Sequence, residues 1–318
     1  MSCRVSGEAE PMEREAPGAW PARAAAMRVR RALPTATDTY FAPGRVNLMG
    51  DHIDYLGGVV LPMSLRAGTV LAAAPRAPGA GLRVQALDLG EAAELRAADL
   101  TRPLGHWRRR LVALLEDLGL SPEALSWEVA VSGTLAGGGL SSSASFALVF
   151  ARWLMHRGVA SPLPPWALGL RLQRLEAEHA GVACGLMDPL AIDLGEPRAA
   201  LRLDCQRQTA DAMPVNFPEA VFALVPSGVA RALADGGYNR VRARLAEALR
   251  AEGFPLDELP PAEATVHRPP LRHVQSEQAR VCAACDALQA GNAEAFGALM
   301  NASHRSLAED YEVSVPAL

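Results

Sequence analysis

A glycine- and serine-rich segment has the composition of an anion-binding loop. Residues 136–145 read Ala-Gly-Gly-Gly-Leu-Ser-Ser-Ser-Ala-Ser and lead directly into the apolar run 146–150. Glycines let a backbone approach a ligand closely, and serines that open a helix offer hydroxyls and unpaired N–H groups to an anion. The segment therefore predicts a phosphate loop. An ordinary glycine loop with a serine N-cap stays open, whereas a nucleophile elbow lacks its closing glycine.

A second segment concentrates polar side chains between glycines. It contains Arg45, Asn47, Asp51, His52 and Asp54. Such a density of polar groups suits a ligand with several hydroxyls, because each carboxylate can accept two O–H hydrogen bonds. A solvated turn between two strands is the alternative. A zinc site would need a third ligand beside the histidine and the aspartate.

A third segment places one carboxylate, Asp188, between a methionine and Pro189, shortly after a run that carries Glu176. A single aspartate in this setting is by itself more typical of a turn than of a general base. The pattern gains meaning only together with the other two segments.

The composition excludes several classes of protein. The chain has 318 residues, a net charge of -4 and no lysine among its 31 basic residues. A Walker A loop, a protein kinase and a Schiff-base enzyme each require a lysine, and the net charge argues against a nucleic-acid-binding protein. Five cysteines without disulfide spacing, no signal peptide and no membrane-spanning run predict a cytoplasmic protein. We interpret Cys282 and Cys285 as helix-packing residues.

Hydrophobic periodicity indicates the elements that position these segments. Short strands mix with long helices without a regular βαβ alternation, so we expect an α+β fold. The predicted helices are Arg108–Leu118, Ser142–His156, Trp166–His179, Asn239–Ala251, Val274–Gln289 and Ala293–Leu307. The predicted strands are Arg45–Met49, Thr69–Ala73, Trp127–Val131, Ala200–Leu203 and Val221–Val225.

Taken together, the three segments resemble the galactokinase branch of the GHMP small-molecule kinase family. The stretch 44–62 resembles the galactokinase signature, the loop 137–145 resembles the ATP-phosphate loop, and 184–188 resembles the catalytic-aspartate motif. The resemblance runs from about residue 38 to the last residue. Further agreement comes from Gly237-Tyr238-Asn239, from Arg272-His273-Val274 and from the stretch 300–313.

The resemblance implies a two-domain α+β fold with an active site in the interdomain cleft, and ATP-dependent phosphorylation of galactose at its anomeric hydroxyl. It also implies a role for each matching residue. Asp188 and Arg45 are catalytic; Asp51, His52, Asp54, Gly185 and Tyr238 bind sugar; Trp107, Gly137, Gly138, Gly139, Leu140, Ser141, Ser142 and Ser143 bind ATP; Ser143 and Glu176 hold Mg²⁺. We expect a cytoplasmic monomer with sugar and ATP as its small-molecule partners, without nucleic acid or membrane.

The same resemblance gives the expected domains. They are a disordered leader over 1–36, an N-terminal GHMP kinase domain over 37–195, and a C-terminal domain over 196–318 that we expect to be truncated before the family's third, glycine-rich motif. Two further departures from the family pattern are Asp51 in place of glutamate and Pro189 in place of glutamine. The alternatives are a non-catalytic relative that binds sugar and nucleotide, and a kinase for a related sugar such as N-acetylgalactosamine.

Overall fold

The computed structural model describes residues 21–135, 139–227 and 237–315. Their helices are α1 (Pro21–Ala32), α2 (Trp107–Asp117), α3 (Ser142–His156), α4 (Pro165–Ala180), α5 (Met187–Leu194), α6 (Gly237–Glu252), α7 (Pro269–Gln289) and α8 (Ala293–Glu309). Their strands are β1 (Asp38–Met49), β2 (Val59–Pro75), β3 (Gly81–Ala86), β4 (Glu91–Glu94), β5 (Ser126–Gly133), β6 (Ala199–Asp204) and β7 (Thr209–Pro214). This mixture confirms the α+β class.

The chain forms two compact units, each assembled from segments distant in sequence. The first contains the described residues up to Arg45, together with Leu65–Gly181 and Asp188–Asp193. The second contains Val46–Ser64, Val182–Met187 and the described residues from Leu194 onward. The units differ from the contiguous domains 37–195 and 196–318 because β1 and β2 each contribute residues to both.

In the first unit the strands follow the order β4-β3-β5-β2, and β1 also pairs with β2. The strand β2 runs antiparallel to β5, with Thr69 opposite Gly133, whereas β3 runs parallel to β5. The apolar run in β2 is buried on both faces of this sheet. Val70, Ala72 and Ala74 pack against α1, while Leu71 and Ala73 join the main core with α2, α3 and α4. The sequence of a strand that is covered on both faces is a continuous apolar run, because side chains on either face are buried.

Helix α1 overturns part of the predicted leader. Residues 21–32 are helical, and Ala25, Val29 and Leu33 are buried against β2 and β5. Their spacing of four residues places them on one face of the helix. The prediction of disorder is wrong here because the small alanine and valine side chains of α1 pack closely on an alanine-rich sheet face. Residues 1–20 lie outside the described residues.

In the second unit, the first residues of β2 pair antiparallel with β6, and β6 pairs antiparallel with β7. Helices α7 and α8 contact each other. The strand predicted at Val221–Val225 is wrong: these residues form no regular secondary structure, and Val221 is 91% exposed. An apolar run becomes a strand only where a neighbouring strand accepts its hydrogen bonds. All six predicted helices are present, and α3 has the predicted bounds.

Candidate active site

In the first unit, Asp188 lies in the first turn of α5 and is held by two side chains. The guanidinium of Arg45 places Nε 2.7 Å and Nη2 2.6 Å from Oδ1. The hydroxyl of Ser141 donates to Oδ2. Because both carboxylate oxygens accept charge-assisted hydrogen bonds, the group has a fixed orientation. Its side chain keeps 27% of its surface exposed, so a ligand can still reach it.

Helix α5 is itself anchored to α3 by a second arginine–carboxylate pair. Arg152 of α3 donates through Nε and Nη2 to the two oxygens of Asp193, which is 4% exposed. Pro189 lies in the first helical turn of α5. The N–H that proline lacks is one that a helix leaves unpaired at this position, so the departure from the family pattern costs the helix no hydrogen bond.

Arg45 also joins the base to the glycine-rich loop. Its Nη1 donates to the carbonyl of Gly139 at 3.0 Å, and its backbone N–H donates to the carbonyl of Leu140 at 3.3 Å. The preceding Gly44 permits this approach, because a Cβ there would lie 2.8 Å from the Leu140 carbonyl oxygen. The strand β1, the loop and the carboxylate are therefore connected through one residue.

Helix α3 begins directly after this loop, and its first turn lacks a side-chain cap. Ser141 is the N-cap residue with a φ of 59°, but its hydroxyl is directed to Asp188 and makes no capping hydrogen bond. The first N–H groups of a helix have no partner within it. Ser142 is exposed and Ser143 half-buried. Gly137 and Gly138 lie outside the described residues.

Two predicted ligand-binding residues make ordinary protein contacts in this unit. The indole Nε1 of Trp107 donates to Glu91 at 2.9 Å. The carboxylate of Glu176 pairs with Arg110. These contacts leave the expected roles of Trp107 near adenine and of Glu176 at Mg²⁺ as predictions.

In the second unit, His52 lies at the centre of an aromatic cluster. Its ring stacks on that of Tyr238, with centroids 5.3 Å apart, and lies 4.6 Å from the ring of Tyr311. Its Nδ1 is 3.1 Å from the hydroxyl of Tyr55. The structure thus brings together two of the predicted sugar-binding residues, His52 and Tyr238.

Asp54 and Gly185 form the other part of this group. Asp54 is 7% exposed, and its Oδ2 accepts a hydrogen bond from the N–H of Met187 at 3.2 Å. Gly185 packs so closely on the Asp54 carboxylate that a Cβ would overlap it. The buried carboxylate therefore orders the chain directly before Asp188. Asp51 is half-buried.

Two tyrosines of this cluster, Tyr55 and Tyr311, were not among the site residues predicted from the sequence. The hydroxyls of Tyr55 and Tyr311 are 3.1 Å apart, and the guanidinium of Arg242 lies 4.6 Å from the centre of the Tyr55 ring. Burial raises the pKa of Tyr311 to about 12 and raises that of Tyr55 further. Both hydroxyls are therefore protonated at neutral pH. Their separation of 256 positions leaves no local spacing signal that could have found the pair.

The described part of the chain contains neither a metal-binding cluster nor a membrane-spanning helix. Within residues 21–135, 139–227 and 237–315, no group of three or more His, Cys, Asp or Glu side chains is arranged to hold a metal ion. On α7, Cys285 is buried and Cys282 is exposed, so only Cys285 contributes to packing. No helix in these ranges is long and apolar enough to cross a bilayer.

Two family models match the chain at the segments described above. The galactokinase galactose-binding signature matches residues 33–75, which include β1 and the turn with His52 and Asp54. The GHMP kinases N terminal domain matches residues 108–196, which include α3, α4 and α5.

Whole-chain comparisons agree with these matches. The chain is 36% identical to a galactokinase of Bos taurus over 293 residues, covering 87% of this chain and 74% of that protein. It is 34% identical to a galactokinase of Roseiflexus, again with 74% of that protein covered. Its fold is similar to the crystal structure of Lactococcus lactis galactokinase complexed with galactose, with a TM-score of 0.77, 27% identity, and coverage of 92% of this chain and 81% of that one.

Proposed function

The chain belongs to the galactokinase family of the GHMP kinases, and on that premise we propose that it transfers the γ-phosphoryl group of ATP to the anomeric hydroxyl of galactose. The observation that carries this proposal is the contact of Asp188 with Arg45 and Ser141 directly before helix α3. Phosphoryl transfer depends on positioning and on stabilisation of charge, and a carboxylate, a guanidinium and a helix N-terminus can supply both.

Asp188 is proposed as the proton acceptor. The anomeric O–H bond breaks, its proton passes to a carboxylate oxygen, and the sugar oxygen forms a bond to the γ-phosphorus while the bond to the leaving ADP breaks. Arg45 fixes the orientation of the acceptor, since two of its nitrogens contact Oδ1. General-base assistance of this kind contributes about 10²–10⁴ in rate.

The loop and the first turn of α3 are proposed to bind the phosphates. Because Ser141 does not cap the helix, the first-turn N–H groups remain available to an anion at the positive end of the helix dipole. The exposed Ser142 adds a hydroxyl at the same end. We assign Gly137, Gly138 and Trp107 to ATP from the resemblance alone.

Mg²⁺ fits the chemistry of the donors assigned to it. A hydroxyl from Ser143 and a carboxylate from Glu176 are hard oxygen ligands of the kind that Mg²⁺ prefers. When bound with ATP, the ion would neutralise phosphate charge. The pairing of Glu176 with Arg110 implies that the arginine shares or releases this carboxylate when the ion binds.

We propose that the second unit binds the sugar. Asp51 and Asp54 supply acceptors for hydroxyls, and His52 and Tyr238 supply ring surfaces and polar edges. Gly185 packs directly on the Asp54 carboxylate and fixes its position. The Lactococcus lactis galactokinase of similar fold was crystallised in complex with galactose, which supports galactose as the sugar.

The test is to incubate the chain with ATP, Mg²⁺ and galactose and to identify the product by phosphorus and proton NMR. The expected product is galactose 1-phosphate, with equimolar ADP. Glucose and N-acetylgalactosamine serve as matched sugars. If the chain phosphorylates N-acetylgalactosamine clearly faster than galactose, the proposed substrate becomes N-acetylgalactosamine. Sugar binding by calorimetry without any transfer would instead support the non-catalytic alternative and overturn the proposed kinase activity.

A further inference from the structure

We propose that His273 and Glu277, both on α7, are positioning residues that hold the backbone of the Gly50–His52 turn and thereby set the affinity for sugar without touching it. This inference rests on the proposed function, because the turn carries Asp51 and His52. The two helical residues are four positions apart and therefore lie on one face of α7.

The backbone of this turn requires support from outside itself. Gly50 has a φ of 100° and His52 a φ of 65°, so two left-handed residues flank Asp51. Such a conformation is costly for histidine and persists only where the surroundings fix it. A Cβ at Gly50 would lie 2.8 Å from the Val60 Cα, so the first of these positions must be glycine.

Helix α7 supplies two hydrogen-bond partners to the backbone of this turn. The N–H of Gly50 donates to Oε1 of Glu277 at 2.8 Å. The carbonyl oxygen of Asp51 accepts from Nε2 of His273 at 3.1 Å. One donor, in the Met49–Gly50 peptide group, and one acceptor, in the Asp51–His52 peptide group, are thus held by two side chains of the same helix face.

Both of these side chains are fully buried and have further partners that fix them. Glu277 is 0% exposed, and it accepts hydrogen bonds from Ser303 Oγ and from Arg280 Nε, each at 2.7 Å. A buried carboxylate is costly unless it is paired and hydrogen-bonded. An apolar residue would pack α7 against α8 without that cost, so helix packing alone does not account for a glutamate here.

The contacts of His273 determine which ring nitrogen donates. A carbonyl oxygen only accepts, so Nε2 carries the proton that is directed to Asp51. Nδ1 lies 3.0 Å from the hydroxyl oxygen of Ser306, and that hydroxyl donates to Oδ2 of Asp310 at 3.2 Å. Burial lowers the pKa of His273, which favours the neutral ring. The Asp51 carbonyl therefore selects a ring with its proton on Nε2, and Ser306 on α8 contacts the other nitrogen.

The same helix also reaches the ring of His52. The rings of His273 and Tyr311 have centroids 4.7 Å apart, and Tyr311 lies 4.6 Å from His52. Backbone and side chain of the turn are therefore supported from one direction. A displacement of α7 would move both at once.

The experiment compares paired substitutions in the full chain. Glu277→Met and His273→Phe remove the hydrogen bonds at similar volume, whereas Glu277→Gln and His273→Gln retain an acceptor or a donor. The exposed carboxylate Asp286 lies on the same helix, and Asp286→Asn is the matched control. We expect the KM for galactose to rise about tenfold in the first pair and no more than about threefold in the second. The kcat and the KM for ATP should stay within about twofold of the wild type.

Amide hydrogen exchange without ligand separates this inference from the proposed function. Peptides that cover residues 50–53 should lose protection in Glu277→Met and His273→Phe but not in Asp286→Asn. If the wild type phosphorylates no galactose, the proposed function is wrong. The amide hydrogen exchange rates at residues 50–53 then decide by themselves whether α7 holds the turn. Unchanged exchange at the turn would overturn the inference.

Loss of folding is a separate outcome with its own control. Glu277→Met and His273→Phe could instead lower kcat, change the KM for both substrates and lower the thermal midpoint all at once. In that case the residues are merely structural and the inference is wrong. Ser306→Ala is a milder variant, since it removes the hydroxyl between Nδ1 and Asp310 but leaves the contact of Nε2 with Asp51 in place. It should raise the KM for galactose about threefold at unchanged kcat. No change in this KM would overturn the role of His273.

Discussion

Arg45 and Asp188 lie 143 positions apart in the chain, and two nitrogens of the guanidinium contact the same carboxylate oxygen, Nε at 2.7 Å and Nη2 at 2.6 Å from Oδ1. The third nitrogen, Nη1, donates to the carbonyl of Gly139. One side chain thus couples the proposed proton acceptor to the proposed phosphate loop. The first two predictions test the two ends of this contact.

Asp188→Asn should abolish transfer while sugar binding survives. The amide accepts no proton at neutral pH, and the rate should fall by about 10²–10⁴. Single-turnover transfer and calorimetric binding of galactose measure the two effects separately. Activity within about tenfold of the wild type would contradict the assignment of the base.

Arg45→Lys should lower kcat by about 10–100-fold at little change in sugar affinity. Lysine keeps the charge but has one ammonium group, which cannot reach Asp188 and the Gly139 carbonyl with the geometry of a planar guanidinium. Steady-state kinetics with both substrates checks this. The expectation fails if the lysine variant retains full kcat.

Gly185→Ala should weaken sugar binding, because the added Cβ would overlap the carboxylate of Asp54. Relieving that overlap displaces a proposed sugar ligand, and we expect an increase in the galactose Kd of about tenfold or more. Gly297→Ala is the control: a Cβ at this helical glycine of α8 meets no atom within 4 Å. It should stabilise the chain by about 0.5–1 kcal/mol and leave the Kd unchanged. Equal Kd values in both variants would argue against a role of Asp54 in sugar binding.

The free energy of unfolding should fall as the pH drops below about 6.5, the ordinary pKa of histidine. Burial lowers the pKa of His273 in the folded chain, and Arg280 acts in the same direction, whereas Glu277, Asp310 and the Asp51 carbonyl oppose it. The unfolded chain therefore binds more protons in the window just below pH 6.5, and protonation favours unfolding there.

Urea unfolding at about pH 7.5 and about pH 5.5 measures this pH effect. The His273→Gln variant should lose less stability between the two pH values than the wild type does. The control is His304→Gln, which changes a histidine exposed on α8 and should behave like the wild type. If His273→Gln shows the same pH dependence as the wild type, the buried imidazole is not the group responsible.

Local features of the chain were predictable because they depend on nearby residues. The apolar period of α3 and the serines before it gave the bounds Ser142–His156 that the structure has. Motif order was likewise sufficient to indicate the family, and the resemblance implied catalytic roles for Arg45 and Asp188. The sequence did not predict which side chains of β2 face which core. The run Val70–Ala74 is apolar throughout, so its pattern does not distinguish the residues that contact α1.

Tertiary structure alone decided which distant groups support the proposed site. Gly50 and Glu277 are 227 positions apart, and the partner of the Gly50 N–H is a buried carboxylate that the sequence analysis did not single out. The reverse error occurred at Val221, where an apolar run predicts a strand but the chain offers it no pairing among the described residues. Periodicity and motifs report what a segment can do by itself. Long-range burial and hydrogen bonding decide which of those possibilities is stable. A polar group or strand edge that is buried without a partner gives up its hydrogen bonds to water and gains none within the protein.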